Sequence, residues 1–156
     1  MGKASIIFAD DNVLLRKFLK TTVQSDPTFC VINEAGDGLE LLEQLKVATP
    51  DIILLDISMP NLSGLKAAEI IKNLYPQIKI VIMTMHQSQH FFHRASEIGV
   101  NGYILKEEIG DINHIISAVL RGKTYISAYF ANRSHGPNLP NRVGSTISCK
   151  LCRGTI

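Results

Sequence analysis

Five short apolar runs alternate with five longer amphipathic stretches between residues 5 and 121. The central run, Ile52-Ile-Leu-Leu55, has four consecutive apolar residues, no polar alternation and helical patterns on either side. A run of that length and kind is the signature of a parallel strand covered on both faces. Similar runs occupy 5–9, 30–35, 79–84 and 102–105. Between them, apolar residues recur at helical spacing: Leu14, Leu15, Phe18 and Leu19; Leu41, Leu42, Leu45 and Ala48; Ala67, Ala68, Ile71 and Leu74; Phe91, Phe92, Ala95 and Ile98; and Ile112, Ile115, Ile116, Val119 and Leu120. Asn12 or Asp11 can cap the first of these helices. Pro27, Pro50, Pro76, Gly99 and Gly122 punctuate the helix ends.

Strict strand and helix alternation, with crossovers long enough for right-handed βαβ units, predicts an α/β fold built on a doubly wound parallel sheet. Five strands suit the flavodoxin-like order 2-1-3-4-5, with helices on both faces. Asn33 and Glu34 in the second strand are tolerated better at a sheet edge than at its centre, so strand two is placed at one edge and strand five at the other.

Charge divides the chain unevenly. Residues 1–122 hold 11 Lys and Arg against 14 Asp and Glu, a balance of −3, whereas 123–156 hold 5 basic residues and no acid. The predicted organisation is therefore one domain over 1–122, followed by a flexible basic tail over 123–156 whose later part has turn and loop composition. No apolar run is long enough to span a bilayer, and the first residues lead straight into a strand without a signal-peptide pattern. Three cysteines make no even-numbered framework. Together these features point to a cytoplasmic protein with no membrane partner.

The polar residues within the apolar pattern recur where strands end. Asp10 and Asp11 follow the first strand, Asp56 ends the third, Thr84 the fourth, and Lys106 follows the fifth. In a parallel sheet these ends share one side, where the crevice of an open α/β sheet binds ligands. Carboxylates crowded there repel unless a cation lies between them, and a hard, oxygen-only site keeping several waters suits Mg²⁺.

Asp10-Asp11, Leu-Leu-Asp56-Ile-Ser-Met-Pro60, Thr84 and Gly-Tyr103-Ile-Leu-Lys106 together resemble the receiver domain of two-component response regulators, over residues 5–121. The resemblance implies that Asp56 is the phosphoacceptor, taking a phosphoryl group from a sensor histidine kinase. It implies Mg²⁺ held by Asp11, Asp56 and the backbone carbonyl of Ser58, with Asp10 acting through metal-bound water. Lys106 would pair with the phosphoryl oxygens, and Thr84 and Tyr103 would be the switch residues. Phosphorylation would then favour a homodimer and control transcription, making the chain a signalling domain rather than an enzyme. The segment 117–127 is similar to the stretch preceding a four-helix helix-turn-helix output domain. Only 34 residues follow Gly122, so DNA would be reached through an output domain absent here. The family usually has proline after the lysine; Glu107 stands there instead, which bears on the loop geometry.

Two other functions use overlapping chemistry. A Mg²⁺-dependent phosphatase of the haloacid dehalogenase type also needs an Asp nucleophile, a hydroxyl residue and a lysine, but its nucleophile comes first and its acidic pair late. Flavin binding would need a Ser/Thr/Gly-rich phosphate loop after strand one, where Asp10-Asp11 would repel phosphate. Among weaker signals, Cys149 and Cys152 supply too few ligands for a structural zinc site. His86, His90 and His93 would share a face only if all three lay on one helix.

Overall fold

The computed structural model describes residues 2–133. Its elements run β1 (Ala4–Ala9), α1 (Val13–Gln24), β2 (Phe29–Ala35), α2 (Gly38–Leu45), β3 (Ile52–Asp56), α3 (Gly64–Leu74), β4 (Lys79–Thr84), α4 (Gln89–Ile98), β5 (Gly102–Leu105), a 3-10 helix (Lys106–Asp111), α5 (Ile112–Leu120), β6 (Tyr125–Ile126) and α6 (Ala128–Ala131). All strand pairs are parallel, in the order β2-β1-β3-β4-β5-β6.

The side-chain period of two divides the core. Ile7, Ile53, Leu55, Ile80, Ile82 and Tyr103 face α2, α3 and α4, while Ile6, Phe8, Ile52, Leu54, Val81, Met83 and Ile104 face α1 and α5. All five residues of β3 are buried, as expected of a central strand covered on both sides. The amphipathic helices close the two layers, and side chains cap their starts. Asn12, Asp37, Ser63 and Ser88 each accept a hydrogen bond from the backbone N–H three residues on. Gly99, in the left-handed conformation with φ 91°, ends α4.

The sheet departs from the predicted one at its far end. Strand five is not an edge: Gly102 and Tyr103 pair with Tyr125 and Ile126 of β6. The domain limit expected at residue 122 also falls short, because Tyr125, Ile126, Phe130 and Ala131 are buried in the two core layers. Residues 125–131 resisted sequence reading because two strand residues and one helical turn carry no period of their own. Their burial comes from β5, from the α4 side of the sheet and, for Tyr125, from the α5 side. The rest of the expected tail, including Cys149 and Cys152, lies outside the described residues.

Gly64 holds the central strand's end in place. A Cβ built there would lie 1.8 Å from the carbonyl oxygen of Asp56, while the Gly64 amide donates to the Ile57 carbonyl at 2.8 Å. Helix α3 can start this close to β3 only without a side chain. Gly64→Ala is therefore expected to lower stability by about 1–3 kcal/mol, the usual range for overpacking against an unyielding neighbour. Denaturant unfolding would measure it, and an unchanged midpoint would show that α3 can move away freely.

Candidate functional site

The carboxyl ends of β1, β3, β4 and β5 bring the chain's polar strand-end residues together. The β1–β3 register places Ala9 beside Leu55, so Asp10 and Asp56 emerge next to each other. The β3–β4 register sets Asp56 against Met83, with Thr84 one residue beyond. Lys106 follows Leu105, itself opposite Thr84. Adjacent registers thus convert five separated positions into one cluster.

Asp10 is fully buried, Asp56 is only 4% exposed, and Asp11 faces solvent. One carboxylate oxygen from each lies within 4.8 Å of the others. Lys106 Nζ bridges the two buried acids, 2.7 Å from Asp10 Oδ2 and 3.2 Å from Asp56 Oδ1. The other oxygen of Asp10 accepts the Asn12 amide at 2.9 Å, which turns the chain into α1. Arg16, one turn into that helix, donates to the backbone carbonyl of Asp10 and pairs with Glu34 of β2 at 3.3 Å.

Burial is the larger influence on Asp56 and raises its pKa above the usual carboxylate range. The charge of Asp10 adds to this, and Lys106 opposes it. Burial pulls the Lys106 ammonium down, but its hydrogen bond to Asp10 and the charges of both acids outweigh it, so its pKa lies above the ordinary lysine value. The site is short of positive charge: three acids face one lysine. The ligand atoms its acids offer are all oxygen. Those properties fit a hard divalent cation held between Asp10, Asp11 and Asp56.

Thr84 is fully buried, and its Oγ1 accepts the backbone N–H of His86 at 2.9 Å. The imidazole Nε2 of His86 lies 3.1 Å from Ser58 Oγ. That bridge joins the loop after β3 to the loop after β4 across the mouth of the site. Sequence reading missed it, because only the tertiary fold brings positions 58 and 86 together. The same placement ends the idea of a shared histidine face, since His86 precedes α4 while His90 and His93 lie on it. A cleft of 440 Å³ opens beside the cluster, lined in part by Asn12, Leu15, Thr84, Met85, Lys106 and Glu107. The peptide after Lys106 is trans, and the chain enters the 3-10 helix at once.

Tyr103 stands apart from the acids. It was expected on an edge strand, where its ring could turn between solvent and core. Because β6 extends the sheet, the ring is instead 1% exposed, and burial raises the pKa of its hydroxyl. Phe92 and Phe130 contact it edge-on, with centroids 5.3 and 4.8 Å away.

Comparison with known proteins agrees with this geometry. The response regulator receiver domain matches residues 6–120. The transcriptional regulatory protein DegU of Brevibacillus brevis is 30% identical over 126 residues, covering 80% of this chain and 53% of its own length. A protein-glutamate methylesterase/protein-glutamine glutaminase of Rhizobium etli is 33% identical over 152 residues, 92% of this chain and 44% of that protein. The chain thus spans about half the length of these curated relatives. Among solved structures, a two-component response regulator of the LuxR family from Aurantimonas sp. SI85-9A1 superposes with a TM-score of 0.75 at 25% identity, covering 96% of this chain and 99% of that one. The dehalogenase-type phosphatase reading finds no support in these matches. With the acidic cluster, its lysine and its hydroxyl all at the carboxyl ends of a 2-1-3-4-5 core, this chain belongs to the response regulator receiver domain family.

Proposed function

We propose that Asp56 accepts a phosphoryl group from a sensor histidine kinase in the cytoplasm, and that the resulting change of surface governs a transcriptional output. The observation that supports this most directly is the double ion pair of Lys106 with Asp10 and Asp56 in a buried, acid-rich crevice. The names of the DegU relative and of the LuxR-family structure favour a transcriptional output. The methylesterase relative pairs a similar stretch with a different activity, so the output is not set by the receiver alone.

An oxygen of Asp56 attacks phosphorus as the bond to the donor's imidazole nitrogen breaks. The electron pair leaves on that nitrogen, and an acyl phosphate forms on Asp56. Such transfers pass through a loose transition state with charge on the equatorial oxygens, so positioning and cations carry the catalysis. Mg²⁺, held by Asp11, Asp56 and the Ser58 carbonyl with Asp10 acting through water, would offset that charge. Lys106 is already drawn to Asp56 and can transfer its contact to a phosphoryl oxygen. The His86 amide occupies one side of Thr84 Oγ1, which leaves the hydroxyl proton free to be donated to the new group. The domain needs no general base, since the nucleophile is a carboxylate, and any self-dephosphorylation would be slow.

Asp56→Asn should abolish phosphorylation by acetyl phosphate while the fold is kept. Because the folded-state pKa of Asp56 is raised, its ionisation opposes folding at neutral pH and this penalty vanishes below the ordinary carboxylate pKa. The variant should therefore melt a few degrees higher at pH 7, with the gain shrinking as pH falls through the carboxylate range. Intact mass and melting curves across pH would record both effects. A collapsed fold in Asp56→Asn would make the carboxylate structural.

Mg²⁺ should raise the melting temperature, since it binds only the assembled site. Exposed Asp11 can reach the ion directly, whereas buried Asp10 is committed to Lys106 and Asn12. Asp10→Ala should weaken Mg²⁺ roughly tenfold, the scale of an outer-shell loss, and Asp11→Ala more. Titration of both variants measures the difference, and equal losses would remove the distinction.

Phosphorylation should also tighten a homodimer by roughly ten- to a hundredfold, the scale of a typical coupling free energy. Analytical ultracentrifugation with beryllofluoride and Mg²⁺ would test this in wild type and Thr84→Ala. An unchanged constant in wild type would dismiss the dimer switch, and an undiminished response in Thr84→Ala would dismiss Thr84 as its relay.

A further inference from the structure

The segment after α5 joins the sheet beside a residue of the proposed switch: Gly102 pairs with Tyr125, whose amide donates to the Asn101 carbonyl at 3.1 Å. Tyr103 pairs with Ile126 in the β5–β6 ladder, and its carbonyl accepts the Ser127 amide at 2.8 Å. The amides of Phe130 and Ala131 then donate to the Ser127 carbonyl, each at 3.0 Å, and wind the single turn of α6. That turn delivers Phe130, fully buried, onto the Tyr103 ring. Phe92 of α4 completes the group: it is stacked on Phe130 at 5.2 Å with a 15° interplanar angle and meets Tyr103 at 74°. Each of the three rings touches the other two.

This packing holds groups that are poorly satisfied where they lie. The Tyr103 hydroxyl is buried without a hydrogen-bond partner among the described residues, and so are both polar atoms of the Gln89 side chain, one turn before Phe92 on α4. Buried unpaired donors and acceptors oppose the arrangement that hides them. Helix α6 has four residues, far below the length at which a helix persists alone, so it relies on tertiary contacts, those of Phe130 with the other two rings among them. Phe92 belongs to the helix entered directly from the Thr84–His86 loop, and Ser88 caps its start. A displacement of Thr84 therefore reaches Phe92 within two helical turns.

We infer that Phe130 senses the Tyr103–Phe92 pair, and that α6 is the element released from the sheet when Asp56 is phosphorylated. This rests on the phosphoacceptor reading above. Drawing Thr84 towards a phosphoryl group pulls the start of α4, and the three rings cannot all keep their contacts if one of them shifts. The shortest helix gives way. Tyr103 is anchored by its strand and Phe92 by a ten-residue helix, whereas Phe130 sits on a single turn joined to a two-residue strand. The signal thus leaves the domain along the chain itself, through residues 125–131, rather than only across its outer surface.

The full chain, incubated with acetyl phosphate and Mg²⁺, can be followed by intact mass and by amide hydrogen exchange on the same sample. Once Asp56 carries the added mass, amides of 125–131 are expected to exchange about tenfold faster, with those of 112–120 unchanged. Added mass with unchanged or slower exchange over 125–131 overturns this inference and leaves the phosphoacceptor standing. No added mass overturns the phosphoacceptor reading and the inference with it. Phe130→Leu keeps an apolar filler but loses the ring contacts. It should exchange fast over 125–131 without phosphodonor and respond to it less than about twofold, while still gaining the phosphoryl mass. A response equal to wild type would remove Phe130 from the path. Should Phe130→Leu unfold, Phe92→Leu, which removes the third ring, is measured the same way with the same expectations.

Discussion

The buried ion-pair cluster of Lys106 with Asp10 and Asp56 is the constraint on which the rest depends. Two carboxylates almost without solvent access, and a third beside them, cannot all remain ionised without cations. Among the described residues, Lys106 is the cation paired with these acids. Burial first, and then the charge of Asp10, raise the pKa of Asp56 against the opposing pull of Lys106. Such crowding suits a divalent ion between the acids, and further negative charge there would be hard to accommodate without movement nearby. Charge balance at one end of a sheet thereby becomes a switch.

The apolar layers of the sheet fix the backbone beneath the cluster from both sides. Every residue of β3 is buried, so Asp56 cannot drift with its strand, and α3 abuts the carbonyl of Asp56 at a glycine. Above the strand ends, the Ser58–His86 bridge and the Thr84–His86 hydrogen bond link the loops after β3 and β4. Asp56 thus sits on a packed floor beneath a rim of linked loops. The rim continues into α4, whose Phe92 lies against Tyr103 and Phe130.

Much of this was legible in the sequence because its causes are local. Apolar runs such as 52–55 carry their own strand signature, the helical periods announce their buried faces, and polar residues at 10, 11, 56, 84 and 106 stand out where those runs stop. Given parallel strands, those residues must lie on one side, so their convergence was implied by topology before any distance was known. The edge position of β2 likewise follows from Asn33 and Glu34, which an inner strand would bury.

What tertiary structure decided were the features that depend on partners distant in sequence. Tyr125, Ile126 and Phe130 have no period to mark them; their burial follows from the exposed edge that β5 would otherwise present and from the gap beside α4. For the same reason Tyr103 is an enclosed ring rather than a free one. His86 faces Ser58 instead of a histidine row because the helix begins at Gln89, a boundary set by the Ser88 cap. The sequence by itself determined which residues would gather at the sheet's carboxyl end, since one strand period and one chain direction suffice for that. Only the folded structure determined how those residues share charge and what covers the far edge, since both depend on distances between elements that no local pattern encodes.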